Sequence, residues 1–276
     1  MSKIMSRDWA GPPRLRYLEL PNSGPPLLLL HGLARCCWDY SGFFHGNAGQ
    51  WHFVYLDHPG HGRSGPAPEA YRVTDYVRHA VAFVLEHFTE PVVIYGHSLG
   101  AMVALGIAAE CPGHVAGVVL EDPPFHTMGR RIQETPFRAQ FEGMREVARR
   151  GGHFYQMVDA LAAVRLPDGK CLGELRSRDA ILFGASCLRH VDPEIFTPVI
   201  EGGWLDGYDH VALAKRVACP SLVLRGDPAC GGTLTEEDAA LFPRTEFFSG
   251  IGHQIHSQQP DRVLALLYDF HRELFP

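Results

Sequence analysis

The chain has 276 residues, 46% hydrophobic and 20% charged, enough apolar material for a buried core and an ordinary charge content for a globular protein. A formal net charge of −6 excludes the attraction to phosphate backbones that nucleic-acid binding needs, so no nucleic-acid partner is expected. The seven cysteines are odd in number and form no disulfide framework or CxxC repeat, which reads as reduced thiols in a cytoplasmic protein.

Met1 to Arg16 carries Lys3, Arg7 and Asp8 and lacks the apolar stretch of a signal peptide. No apolar run approaches the ~20 residues that span a bilayer, so no membrane partner is expected either. Leu15–Leu20 and Pro26–Leu30 read as early strands, and Trp51–Leu56, Pro91–Tyr95 and Val115–Leu120 as successive buried strands, each ending at a turn signal. Between them, Val73–Phe88 sets Val73, Tyr76, Val77, Ala80, Val81 and Val84 on one helical stripe, and Ser98–Glu110 is a second helix. From Pro124 to His210 the strand pattern stops and helices take over, at Phe137–Arg149, His153–Leu161 and Arg178–Leu188. The pairs Arg130-Arg131 and Arg149-Arg150 lie in these polar stretches and read as solvated faces. Strand character returns at Pro220–Arg225 and Thr245–Phe248, and Pro260-Asp261 opens a last amphipathic helix bearing Val263, Leu264, Leu266, Leu267 and Phe270. The fold class is therefore α/β, a doubly wound and mostly parallel sheet with an inserted helical cap. The core is expected over residues 1–124 and 211–276 and the cap over 125–210.

Gly96-His97-Ser98-Leu99-Gly100 stands where the β run ending at Tyr95 meets an Ala- and Leu-rich helix. A serine on such a sharp strand-to-helix turn is held in a strained conformation that exposes its hydroxyl above the free amides of a helix N-terminus. Upstream, Leu27-Leu28-Leu29-Leu30-His31-Gly32-Leu33 is a strand ending in His-Gly at the same sheet edge. With these two segments the chain resembles the α/β-hydrolase fold superfamily, in its serine hydrolase branch with a helical cap. Asp57-His58-Pro59-Gly60-His61-Gly62-Arg63-Ser64 is similar to a further, noncatalytic turn of that family.

The resemblance implies Ser98 as nucleophile, an oxyanion hole made by the amides of Leu33 and Leu99, and a loop-orienting or substrate-contacting His31. It places the catalytic histidine after the last strand, at His253 in Gly250-Ile251-Gly252-His253, and leaves His256 a structural role. For the acid, the more common family position falls in the loop Gly226-Asp227-Pro228-Ala229-Cys230, where Asp227 comes too early. Other members carry it after the strand that follows the nucleophile helix. There Asp122 stands 24 residues beyond Ser98 and is the first choice, with Asp227 as rival. Glu121 precedes it and would face the other side of a continuing strand.

Substrate contacts are expected from His31, Trp38, Phe125, Tyr155 and Trp204, with Tyr208 as a further aromatic of the cap. Core packing is the competing role for each aromatic. No cofactor and no metal are expected, since the pair His58/His61 has no further ligand at suitable spacing. Ser98 argues against the dehalogenase and epoxide hydrolase branches, which use aspartate at the elbow. The implied activity is hydrolysis of a small, apolar carboxylic ester or lactone through an acyl-enzyme. Hydrolysis of a carbon–carbon bond beside a ketone is the alternative on the same triad, and a noncatalytic small-ligand receptor is the alternative from another class. The one protein partner considered is a second copy of the chain, in a homodimer.

Overall fold

A computed structural model describes residues 3–43, 50–67 and 71–276. Eight strands form one sheet: β1 (Met5–Trp9), β2 (Leu15–Leu20), β3 (Pro26–Leu30), β4 (His52–Leu56), β5 (Val92–His97), β6 (Val115–Glu121), β7 (Ser221–Gly226) and β8 (Thr245–Phe248). Their order is β1-β2-β4-β3-β5-β6-β7-β8. β1 and β2 pair antiparallel, as do β2 and β4, and every pairing from β4 through β3 to β8 is parallel.

The helices are α1 (Val73–His87), α2 (Leu99–Glu110), α3 (Phe137–Arg150), α4 (Phe154–Ala162), α5 (Leu172–Leu175), α6 (Arg178–Leu188), α7 (Thr197–Glu201), α8 (His210–Ala214), α9 (Glu236–Ala239), α10 (Ile255–Gln258) and α11 (Pro260–Leu274). The central strands are apolar on both faces, as a sheet covered by helices on both sides requires. Along β3, Leu28 and Leu30 join one apolar cluster with α1 and α2, whereas Leu27 and Leu29 join another with Val263, Leu267 and Phe270 of α11. α2 is buried from Leu99 through Ala109, so no polar stripe is left on it.

β1 escapes a reading based on alternation. Its side chains run from exposed to half-buried, because an edge strand with one neighbour has no core face to specify. The expected strand starts at Trp51, Pro91 and Pro220 each lie one residue too early.

On one side β3 leads outward to β4 and on the other β5 leads outward through β6 and β7 to β8, so the strand order reverses at the β3/β5 boundary. That is the switch point where open α/β sheets leave a crevice at the strands' carboxyl ends. The loop after β3 and the turn after β5 both open there. Between Glu121 and Ser221 the described chain is helical, α3 to α8, with one isolated bridge between Arg165 and Cys171. This insertion packs on the loop after β3: the Arg35 guanidinium lies 4.4 Å over the Phe183 ring, and the Cys36 and Cys187 sulfurs are 3.6 Å apart.

Candidate active site

Ser98 caps α2 with φ 54° and ψ −115°, a conformation that side chains rarely adopt. Close packing on both sides forces it. A Cβ on Gly96 would lie 2.1 Å from the Gly100 carbonyl oxygen, and one on Gly100 would lie 1.9 Å from that of Leu30. Only glycines let the strand, the turn and the helix approach this closely. The Ser98 amide donates to the Glu121 carbonyl (2.9 Å), which ties the turn to the end of β6. The Leu99 amide opens the helix beneath the serine.

Beside this turn, the loop after β3 is held by three buried histidines. His58 donates its amide to His31 Nε2 (3.1 Å), and His61 Nε2 accepts from the Ala34 amide (3.1 Å). Burial keeps all three neutral: His31 is held well below its usual value, His58 is pushed down to about 3 and His61 to about 4. His31 has no exposed surface, and its ring packs inside the loop. The role of His58 and His61 is likewise internal, and sequence reasoning missed it because a His-Pro-Gly-His turn carries no sign of what the rings will face.

Across the crevice, His253 Nδ1 lies 2.7 Å from Asp122 Oδ2. Asp122 follows β6 directly and turns with φ 45°, which carries its side chain away from the sheet face that Glu121 occupies. Its carboxylate is fully buried and accepts from the amides of Gly226 (3.1 Å), Thr233 (2.8 Å) and Leu234 (3.2 Å) and from the Thr233 hydroxyl (2.9 Å). Burial pushes its pKa up, but the hydrogen bond and charge of His253 and these amides outweigh burial and hold it below the usual carboxylate value. With Asp122 ionised, the Nδ1 proton of His253 is pinned and Nε2 is left as the basic nitrogen.

Asp227 is built differently. Its carboxylate accepts from the amides of Gly250 (2.8 Å) and Ala229 (2.9 Å), capping its own turn, and these bonds lower its pKa. None of its hydrogen bonds goes to His253. Thr233, absent from the sequence expectations, bridges Asp122 and His253 through one hydroxyl, 3.2 Å from His253 Nδ1. No pattern in the sequence singles it out, because only the fold brings the loop after β7 over Asp122.

A second buried polar cluster lies behind the first. His256 Nδ1 contacts both Glu121 carboxylate oxygens at 2.9 Å, its Nε2 lies 3.7 Å from Asp39, and the Tyr95 hydroxyl donates to Glu121. Burial disfavours the His256 cation, but the charges of Glu121 and Asp39 raise its pKa to about 10, so it is protonated at neutral pH. At His97 burial, aided by the neighbouring His253 and His256, outweighs the pull of Glu121 and Asp39 and drives the pKa down to about 3, while its Nε2 meets the His253 carbonyl oxygen at 2.9 Å.

The aromatic expectations divide. Phe125 is buried and stacks on His210 at 4.4 Å, Trp204 is buried with its carbonyl taken by the Val73 amide, and the Tyr208 hydroxyl donates to the Met102 carbonyl (2.8 Å). These three pack the insertion onto the core. Tyr155 is 70% exposed: α4 buries Met157 and Leu161, and Tyr155 stands on the other side of the helix. Trp38 lines a cleft of about 510 Å³ with Cys37, Phe183 and Cys187, whose lining includes neither Ser98 nor His253.

The family model described as the alpha/beta hydrolase fold matches residues 25–159. Among curated proteins, the chain is 35% identical over 105 residues to a pimeloyl-[acyl-carrier protein] methyl ester esterase of Methylococcus capsulatus, a match covering 38% of this chain and 39% of that protein. The match therefore spans less than half of that relative. Two solved structures share the fold over nearly all of both chains. One is an esterase from Rhodococcus sp. ECU1013 (TM-score 0.71, 22% identity, 99% of this chain and 100% of that one). The other is an N-acyl homoserine lactonase (TM-score 0.70, 19% identity, 99% and 98%). With the sheet order and the glycine-flanked turn at Ser98, these similarities show that the chain has the α/β-hydrolase fold.

Proposed function

We propose that the protein is a serine hydrolase that cleaves a small carboxylic ester or lactone through an acyl-enzyme, with Ser98 as nucleophile, His253 as general base and Asp122 as the acid. The observation that carries this reading is the 2.7 Å contact between His253 Nδ1 and Asp122 Oδ2, at the same crevice as a serine held in a strained turn on a helix N-terminus. Similarity to an esterase and a lactonase supports the bond type.

In this mechanism Ser98 Oγ attacks the acyl carbon while His253 Nε2 takes its proton. The carbonyl oxygen becomes an oxyanion facing the amides of Leu33 and Leu99, fixed dipoles that act where charge develops. The tetrahedral intermediate collapses as His253 returns the proton to the departing alkoxide, leaving the Ser98 ester. Water, deprotonated by His253, then repeats the sequence and releases the acid. Asp122 stays ionised throughout and stabilises the imidazolium. The helical segment 125–210 acts as the cap over the crevice, and free thiols at all seven cysteines favour a reducing, cytoplasmic setting.

The test is covalent labelling by a fluorophosphonate probe together with an assay panel of esters, lactones and diketones. Wild type is expected to label and to turn over an ester or lactone, while Ser98→Ala loses labelling and at least ~10³-fold in rate. An unlabelled wild type would refute the enzyme reading, and turnover of diketones alone would move it to carbon–carbon bond hydrolysis.

A further inference from the structure

At the place where both ends of the insertion return to the core, two imidazoles converge on one carboxylate. His126, four residues after Asp122, has Nε2 at 3.0 Å from Asp238 Oδ1, and His210, the first residue of α8, has Nε2 at 2.9 Å from the same oxygen. One ligand atom from each of the three residues lies within 4.8 Å of the others. The geometry points to a binding site for a divalent transition-metal ion, zinc foremost, at His126, His210 and Asp238.

Two imidazole nitrogens and one carboxylate oxygen are a donor set suited to zinc, with a fourth tetrahedral position left to water. Around zinc, with bonds of about 2.0–2.1 Å, neighbouring donors stand roughly 3.3 Å apart. The observed 2.9 and 3.0 Å separations therefore need to open by only a few tenths of an ångström. On metal binding each Nε2 gives up its proton, to Nδ1 of the same ring or to solvent, and its lone pair turns to the ion.

The surroundings hold the donors in place, as the outer partners of metal ligands do. Asp238 Oδ2 accepts from the Thr235 hydroxyl at 2.8 Å. The His210 ring is stacked on Phe125 at 4.4 Å and meets His126 edge-on at 5.3 Å. The His126 side chain is 39% exposed, which provides an entry path, whereas Asp238 is buried at 4% and attracts the cation in a low dielectric. A bound ion would pin the segment leaving β6 and the start of α8 to α9, so the expected role is structural. None of the three residues belongs to the proposed catalytic set, so the site does not depend on the proposed hydrolase chemistry.

The experiment is titration of the chelator-stripped full chain with Zn²⁺ alone by calorimetry and thermal melting, repeated with His126→Gln and Asp238→Asn. Wild type is expected to bind one equivalent saturably and to melt a few degrees higher at saturation, by linkage. Both variants should bind at least ~10-fold more weakly, the loss expected when one ligand of three is removed. Substitution with Co²⁺ should give tetrahedral d–d absorption bands that are lost in both variants. If Asp238→Asn fails to fold, the half-exposed His126→Gln decides alone. Absence of saturable binding in wild type, or binding unchanged in His126→Gln, would overturn the site and assign any residual zinc uptake to other histidines.

Discussion

Asp122 occupies its left-handed backbone conformation because three amides and one hydroxyl converge on its carboxylate, so the strain at φ 45° is offset by charge-assisted hydrogen bonds. The same bonds keep it ionised beside His253. Asp227 satisfies only its own turn and the Gly250 amide. Asp122→Asn is therefore expected to lower kcat by about 10⁴-fold on the substrate found by the panel, through the wrong imidazole tautomer, and Asp227→Asn to leave it within a few-fold. Steady-state kinetics of the two variants check this, and the reverse ranking would transfer the acid role to Asp227. Asp122 was readable as a candidate from its distance beyond Ser98, but Thr233, which touches both Asp122 and His253, was not. Its contact depends on a loop 111 residues further along the chain.

At the scale of elements, the turn between β5 and α2 is a close approach of three backbones. A Cβ at Gly100 would meet the Leu30 carbonyl oxygen and carbon, at 1.9 and 2.5 Å, and neither is the end of a flexible side chain. Gly100→Ala must push α2 away from β3, an overpacking that costs about 3 kcal/mol or more and should lower Tm by roughly 6–12 °C. Scanning calorimetry of this variant against Gly113→Ala, whose added methyl meets nothing within 4 Å, separates crowding from the general effect of the substitution. The strands of the core were legible as short apolar runs bounded by turn signals, and the amphipathic helices because apolar residues recur at a period of 3.6. β1 was not, since an edge strand half in solvent leaves no alternating pattern.

Across the whole molecule, buried histidines of opposite charge state set the pH dependence of stability. His58, His61 and His97 are neutral in the fold, pushed down to about 3, 4 and 3, and in the unfolded chain they titrate near 6.5. Between pH 6.5 and about 4 the unfolded chain binds more protons, so stability falls as pH falls through that window. His256 has the opposite sign. Its folded value of about 10 against 6.5 unfolded adds stability that is complete below pH 6.5 and is lost as pH rises toward 10. A Tm profile from pH 5 to 10 should therefore peak near pH 6.5–7.5. His256→Gln should lower the whole curve, because Glu121 is left buried without its cation, and should flatten the alkaline limb. An alkaline limb as steep as in wild type would show that another group carries it.

The one-dimensional pattern determined the α/β class, the strand succession of the core, the helical insertion and the strand-to-helix turn at Ser98, because each is written in local periodicity and in glycines next to one residue. Tertiary structure decided what is non-local. It set which carboxylate meets His253, the three-histidine support under the loop after β3, the burial of Phe125, Trp204 and Tyr208, and the meeting of His126 and His210 on Asp238. Those contacts join residues up to 131 positions apart, as between His253 and Asp122. A side chain's partner at that separation is set by which strand ends the sheet order brings together, and no spacing along the chain encodes that.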